Sequence, residues 1–465
     1  MRKKDDYRFL RLADAATALN QRVNLIGVIV EYGIPTRSNG SDWFCSLKIV
    51  DESYNEYGLL VNIFAETQQK LPQAQESGDI IQLSHVVMKC HNQEAYALYD
   101  KRFSTFALYE GNYSEICSPY QFSSKFQPRN QDMAFVVSLR KWADSFQLDT
   151  VSKESVLLRE LKEGNCDYLV CKILHMSQVN DNEWMLFIWD GTDAPPLPLQ
   201  HELKSEKENS LPLQLEPQPL ARDILCRFPT IGSILRVSVD QRNVKLNIPS
   251  LTVDRWVKLF NLMLEVREGL WHGFLTSSTK VRVIPNKDLK ILELEKDFKK
   301  RFCSKWDRMP STSYPWPCRI TDFYDDVDKV PLVTLMDILT YKQVTAKFKC
   351  IVRVVAALPW AVKDFCSSDG TYLIRLTLED PTARIHAYLF GDDGKAFFEG
   401  YPPTDTLVRK WNTLLGVAKA HSGAVTENAP RLPPWIVCCI KSYYVDKSDV
   451  WRSRRYRIFN TKLVC

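Results

Sequence analysis

Three stretches of the 465-residue chain share one pattern, an alternating apolar run that ends on an acidic turn. "YLIRLTLEDPTARIHAYLFG" (372–391) joins two such runs through Glu379, Asp380 and Pro381. "FCSLKIVDESYNEYGLLVNIFAE", from Phe44, repeats the arrangement upstream, and "EWMLFIWDGTDAPP", from Glu183, ends its own strand on an acidic turn. Alternation with a period of two hides one face of a strand and exposes the other. Recurrence at this scale means that one small β module is used more than once.

The flanking segments recur with it. Copy one reads as a leader "FLRLADAATAL", a strand "RVNLIGVIVEYG", the hairpin from Phe44 to Phe64, then "SGDIIQLSHVVMK" and "FSTFALYEG". Copy two reads "VLLRELKEG", "DYLVCKILHMSQV", the hairpin starting "EWMLFIWDGT", then "TIGSILRVSVDQR" and "STKVRVIPN". Copy three reads "PLVTLMDILTY", "AKFKCIVRVVAALP", the Tyr372–Phe390 hairpin, "PPWIVCCIKSYYVD" and "RRYRIFNTKLV". Five short strands in this order, with an excursion between strands three and four, fit the Greek-key barrel called the OB-fold. Gly27 inside the first strand predicts a bend or bulge that curls the sheet, and "TDTLVRKWNTLLG" predicts a helix in the third excursion. The expected architecture is mainly β: three tandem OB-folds over residues 8–118, 147–287 and 307–465, joined by short helices. One joining helix lies in "NQDMAFVVSLRKWADSF", with Val136, Leu139, Ala143 and Phe146 on one face and Asn130 as N-cap. The other is "DLKILELEKDFKKRFCSKW". The Pro-, Glu- and Lys-rich run from Thr192 to Leu220 has a linker's composition, but the repeat places it inside copy two, as a long loop after its hairpin.

A chain of this length exceeds one core, and no apolar run approaches the ~18 residues that cross a membrane. The start, "MRKKDDYRFL", has no apolar core of a secretory signal. The 13 cysteines form no CxxC pair, and only Cys438 and Cys439 adjoin. They read as reduced, mostly buried thiols of a cytosolic or nuclear protein. Phosphate-binding loops, dinucleotide fingerprints, zinc-protease and nucleophile-elbow motifs are all missing. "DFYDDVDK" (Asp322, Asp325, Asp326, Asp328) lacks the glycine and terminal glutamate of a calcium loop and reads as a solvated turn. The sequence therefore carries no expectation of catalysis, metal or cofactor.

OB-folds hold single strands across strands two and three, by stacking bases on exposed rings and reading base edges with a few polar groups. Residues 1–110 carry 12 Lys and Arg against 14 Asp and Glu, so phosphate neutralisation cannot dominate in copy one. Its candidate contacts are Tyr32 at the end of strand one, Arg37 in the following loop, Asp42 and Trp43 opening strand two, and Phe64 ending strand three. His85, Lys89 and His91 alternate along strand four, with Tyr96 and Tyr99 beyond. Trp43 and Tyr99 could equally be core, and His85 a satisfied histidine. In copy two, Trp271 and His272 precede Lys280 and Arg282, an interleaving of rings and cations that suits a strand groove or a solvated basic hairpin. In copy three, "VWRSRRYRIF" could grip phosphate, dock an acidic protein, or form a solvated edge strand.

"GVIVEYGIPTRSNGSDWFCSLKIVDES", "NIFAETQQKLPQAQESGDII", "FALYEG", the helix "VVSLRKWADSF" and the "WDGT" turn (189–192) together resemble the protection of telomeres family, over roughly 8–290 and more weakly over 307–465. The length, and a third domain without an enlarged cysteine-bearing insertion, resemble its plant branch. The resemblance implies a nuclear protein at chromosome telomeres that binds the G-rich single-stranded overhang, caps the chromosome end and regulates telomerase. It implies a third domain that holds other telomere-capping proteins. Phe64 matches the family's stacking phenylalanine, Asp42 an acidic base-reading position, and His272 falls near a base-contacting histidine. The chain departs from the family where an aromatic-and-lysine pair at the end of strand one is Glu31 and Gly33, where His85 and His91 replace a basic and an aromatic residue, and where Ser277 or Ser278 replaces a tyrosine. Two other readings stand beside this one, the first motivated by these losses and by the basic C-terminal strand. One is a telomerase-associated accessory protein with weak DNA affinity, which binds protein or telomerase RNA. The other is a replication-type barrel protein without sequence preference.

Overall fold

The computed structural model describes residues 8–38, 40–76, 78–111, 118–146, 155–305, 308, 316–325, 329–417 and 430–464. Asp326 and Asp328 of the acidic turn lie outside them.

Three five-stranded rings form. In the first, β1 (Arg22–Gly33) pairs antiparallel with β2 (Trp43–Val50), and β2 with β3 (Leu59–Ala65). β3 runs parallel to β5 (Glu94–Tyr99), β5 pairs with β4 (Ile80–His91), and β4 returns to β1. One parallel pair in an otherwise antiparallel closed ring is the OB topology. A sixth strand, β6 (Thr105–Tyr109), lies along β4. The second ring has the same pairings among β7 (Gly164–Asn180), β8 (Glu183–Trp189), β9 (Leu235–Asp240), β10 (Trp256–Arg267) and β11 (Leu270–Phe274), with β12 (Lys280–Val283) along β10. The third is a closed barrel of β13 (Ala346–Leu358), β14 (Leu373–Glu379), β15 (Arg384–Phe390), β16 (Ile436–Tyr444) and β17 (Arg454–Phe459). Each ring encloses its own apolar cluster.

Several strand assignments change. The fifth strand of copy one is Glu94–Tyr99, and "FALY" is the sixth. "LRVSVD" is strand three of the second barrel. Its fourth strand, Trp256–Arg267, hides its alternation because the inward row runs Val257, Leu259 and then Leu262, Leu264, with the phase slipping at Asn261, which sits at a positive φ of 55°. The proline-rich run therefore interrupts the second hairpin, between β8 and β9, instead of following it. Gly27 is not at a bulge: the register slips between Val23 and Leu25 and between Ile29 and Glu31. A Cβ on Gly27 would lie 3.1 Å from Val50 O, so its role is close strand approach. "RRYRIF" is β17, inside a closed ring and not at an edge.

The acidic turn has one job in all three barrels. Asp51, Asp190 and Asp380 each accept a backbone N–H from the leader segment, from Leu12 (2.8 Å), Leu158 (2.7 Å) and Leu335 (2.7 Å). The second carboxylate oxygen takes the hydroxyl two residues on, from Ser53, Thr192 and Thr382 at 2.7, 2.8 and 2.6 Å. That hydroxyl oxygen accepts the next leader N–H, from Ala13, Arg159 and Met336. The unpaired donors and positive end of a helical turn are thus capped from the end of strand two. The leaders are α1 (Leu12–Thr17), a short 3-10 turn at Leu158–Glu160, and, third, Leu335–Thr340.

Of the joining helices, α2 (Asp132–Ser145) buries Val136 and Leu139 against the first barrel, and its N-cap is Gln131, not Asn130. α3 (Leu289–Cys303) is capped by Asp288, which accepts from Lys290 N, and α4 (Leu335–Thr340) is the third leader. α5 (Thr404–Leu415) fills the third excursion as the sequence indicates.

Candidate nucleic-acid interface

Alternation sorts β2 and β3 into two rows. Cys45, Leu47, Ile49, Val61, Ile63 and Ala65 fill the first barrel, while Phe44, Ser46, Lys48, Leu60, Asn62 and Phe64 face outward. Phe64 is half-buried outside the core, and its ring centroid lies 4.9 Å from that of Phe44, its cross-strand partner. Phe44 escaped the sequence reading, although the hairpin register that places Phe64 also places it. The pair forms an apolar shelf at the end of the two strands, the kind of surface on which a base stacks.

The neighbours are polar. The Arg37 guanidinium stands 4.6 Å from the Trp43 ring centroid, and Trp43 closes that end of the core. Asp42 is engaged by Lys101 at 2.7 Å, a partner the sequence reading missed. Tyr99 is core. Lys89 reaches Asn20 Oδ1 at 2.9 Å and lies opposite Tyr96, and His91 is exposed beside the Asn92–Gln93 turn. His85 does not share their row. It is exposed at a positive φ of 57°, where the β1–β4 register slips, and its N–H is held by Asn24.

The end of β1 joins two barrels. Tyr32 pairs with Leu47 on one side and Val283 on the other, and its ring packs against both cores. Glu31 is 2% exposed and binds Lys258 and, at 3.3 Å, Arg282 of the second barrel. Burial works to raise its carboxyl, but Lys258, Lys48 and Arg282 hold it below the usual range. Arg282 is therefore a seam residue, and Glu31 has a structural use in joining the two barrels. Because β1 pairs with β12, the first two barrels share one continuous sheet. Next on β12, Lys280 is exposed opposite Phe260, whose ring stacks on Tyr168 at 5.1 Å and 4°. That pair was missed because β10 was not read as a strand.

Two expected contacts turn away from solvent. Trp271 packs into the second core with its Nε1–H on Pro195 O at 2.8 Å. His272 is 2% exposed, 2.9 Å from Ser238 Oγ and 4.7 Å from the Phe274 ring, and burial pushes its pKa down to about 4. The excursion between β8 and β9, together with α4, covers this barrel's outward face: Met185, Phe187 and Trp189 lie in one cluster with Phe228 and Ile234 of the excursion and Met336 of α4. Among the described residues no group of three His, Cys, Asp or Glu gathers as for a metal ion, and no helix is long and apolar enough to cross a membrane.

Two family models match. Residues 3–153 match "Telomeric single stranded DNA binding POT1/CDC13" and residues 316–449 match "POT1A-like, OB fold domain". The chain is 42% identical to Protection of telomeres protein 1b of Arabidopsis thaliana, over 99% of its own length and 98% of the relative's. The chain belongs to the protection of telomeres family. A second family member, protein 1a of the same plant, is 36% identical over 100% of this chain and 99% of its own. These full-length matches support the plant type. Fission yeast Pot1, solved with ssDNA, aligns at a TM-score of 0.27 and 14% identity over 64% of this chain and 95% of that one. The barrels in this family member are assigned from their strand pairings alone.

Proposed function

We propose that this chain binds G-rich single-stranded telomeric DNA at chromosome ends, as a nuclear capping protein and not an enzyme. In this reading it shields the overhang and controls telomerase access to it. The observation that carries the reading is the Phe44–Phe64 shelf on the outward face of the first barrel, beside the polar Ser46, Lys48 and Asn62 of the same face. Full-length similarity to two protection of telomeres proteins points the same way. The strand starts on β2 and β3 of the first unit (8–118), with Arg37, Trp43 and the Asp42–Lys101 pair at its edge. It continues along the shared sheet toward Lys280 and the Tyr168–Phe260 stack of the second unit (147–287). The third unit (307–465) holds a protein partner from the telomere cap or the telomerase particle.

The accessory-protein reading rests on the depleted aromatics of copy one, at Glu31 and His91 among others, and on the basic C-terminal strand. It loses force because Glu31 serves the seam, while Phe44 supplies a ring the sequence reading had not counted. The test is a titration of the purified chain against G-rich, C-rich and RNA versions of the repeat at stated salt. G-rich DNA is expected to bind tightest. Equal competition by poly-dT would reduce the protein to a binder without preference.

A further inference from the structure

The third barrel has an outward face built like that of the first. Counting back from the capping aspartate, Leu373 holds the place of Phe44, and its cross-strand partner Phe390 the place of Phe64. Both are exposed, at 50% and 46%. Behind them Arg375 pairs with Tyr388, and Arg353, Glu379 and Arg384 form a row across three strands. This face carries three guanidiniums against one carboxylate of its own.

The chain itself lies over it. Residues 195–213 of the second barrel's excursion cross the face in extended and 3-10 form. Leu197 O accepts from Arg353 at 2.8 Å and Pro212 O from Arg384 at 3.2 Å. Glu206 is 0% exposed and pairs with Arg375 at 2.9 Å and His201 at 3.1 Å. Leu199 and Leu211 are the apolar anchors, buried with Val355 and Ala356 of β13, and Leu199 exchanges two 2.9 Å backbone hydrogen bonds with Arg431. Carbonyl oxygens and one carboxylate thus meet a row of guanidiniums, as the phosphates of a polynucleotide would.

We propose that residues 195–213 are a resident pseudo-ligand, and that the face beneath them is a latent single-strand site with Phe390 as its stacking ring. While the strap is seated, the third barrel is withheld from nucleic acid and the strand is confined to the first two barrels. The inference rests on the reading that the outward face of these barrels is the ligand face.

Two full-length variants test it, one with 196–213 replaced by a Gly/Ser linker and one with Glu206→Lys, each checked for folding by thermal unfolding. The probes are bromouracil-substituted oligonucleotides of about 10 and about 30 nucleotides, because one barrel takes ~4–16. Relative to wild type, each variant is expected to bind the long strand at least about tenfold tighter and the short strand equally. Photo-cross-links should appear in 373–390 only in the variants, and Phe390→Ala should remove the gain. Cross-links there in wild type would overturn the proposal. So would a folded variant that gains neither affinity nor cross-links, or a linker variant that captures an added 195–213 peptide in preference to the oligonucleotide. The short-strand titration reports on the first barrel alone, so failure here is distinct from failure of the telomeric reading.

Discussion

The first and second barrels share a topology and a capping aspartate, yet their equivalent rows hold opposite chemistry. Seven residues before the aspartate, the first has Phe44 opposite Phe64, and the second has Glu183 opposite Asp240. The first row is apolar and open. In the second, Asp240 is tied to Arg242, and the face behind it is roofed by the chain's own excursion. Repetition of the fold therefore did not repeat the site. The barrel conserves whatever caps the leader and closes the ring, and its outward row is free to become a shelf for bases or a bed for protein.

The largest effect should come from breaking the seam that makes one sheet of two barrels. Glu31→Ala leaves Lys258 buried without its carboxylate, which costs about 3–5 kcal/mol. Denaturant unfolding should show that loss, and a wild-type midpoint would show the seam to be dispensable. Next, the capping aspartate is common to all barrels but not equally enclosed. Asp380→Ala should cost about 2–4 kcal/mol, a lost cap plus stranded buried donors. Asp51→Ala should cost less, because Ser53 and Tyr54 are only part-buried there. Equal losses would mean that enclosure is not what separates them.

A smaller, pH-dependent difference should mark the roofed barrel. His272 stays neutral in the fold, at about 4 against an ordinary 6.5. Its contribution is therefore fully present above pH 6.5 and falls as pH drops toward 4, where the unfolded chain takes the proton. Burial raises the Asp190 carboxyl, which acts in the opposite sense. The informative quantity is thus wild type minus His272→Asn. The variant should lose less stability between pH 7 and pH 4.5, and parallel melting curves would place His272 in contact with solvent.

Much of this was legible in the sequence because strand alternation and the acidic turns report directly on burial. The three barrels follow from period-two patterns, α5 from an amphipathic helical stretch, and the place of Phe64 from the end of strand three. What alternation could not report was a slip of phase or a contact from a distant segment. Trp256–Arg267 loses its period of two where Asn261, at a positive φ, shifts the inward row from Val257 and Leu259 to Leu262 and Leu264. His272 and Trp271 read as a binding pair because nothing local to them announces that Ser238, 34 residues upstream, and Pro195, 76 residues upstream, stand against their ring nitrogens. Glu31 reads as a lost contact because its partners, Lys258 and Arg282, are more than 200 residues away. Phe44 was available from the register and simply stood in the shadow of Trp43.

The most direct test of the central claim is a fluorescence titration of a G-rich telomeric oligonucleotide with wild type and Phe64→Ala at one stated salt concentration. Removing one stack worth ~1–3 kcal/mol should weaken binding by about 5- to 150-fold, with thermal stability close to wild type because the ring lies outside the core. Unchanged affinity would contradict the assignment of the outward face of β2 and β3 as the seat of the single strand.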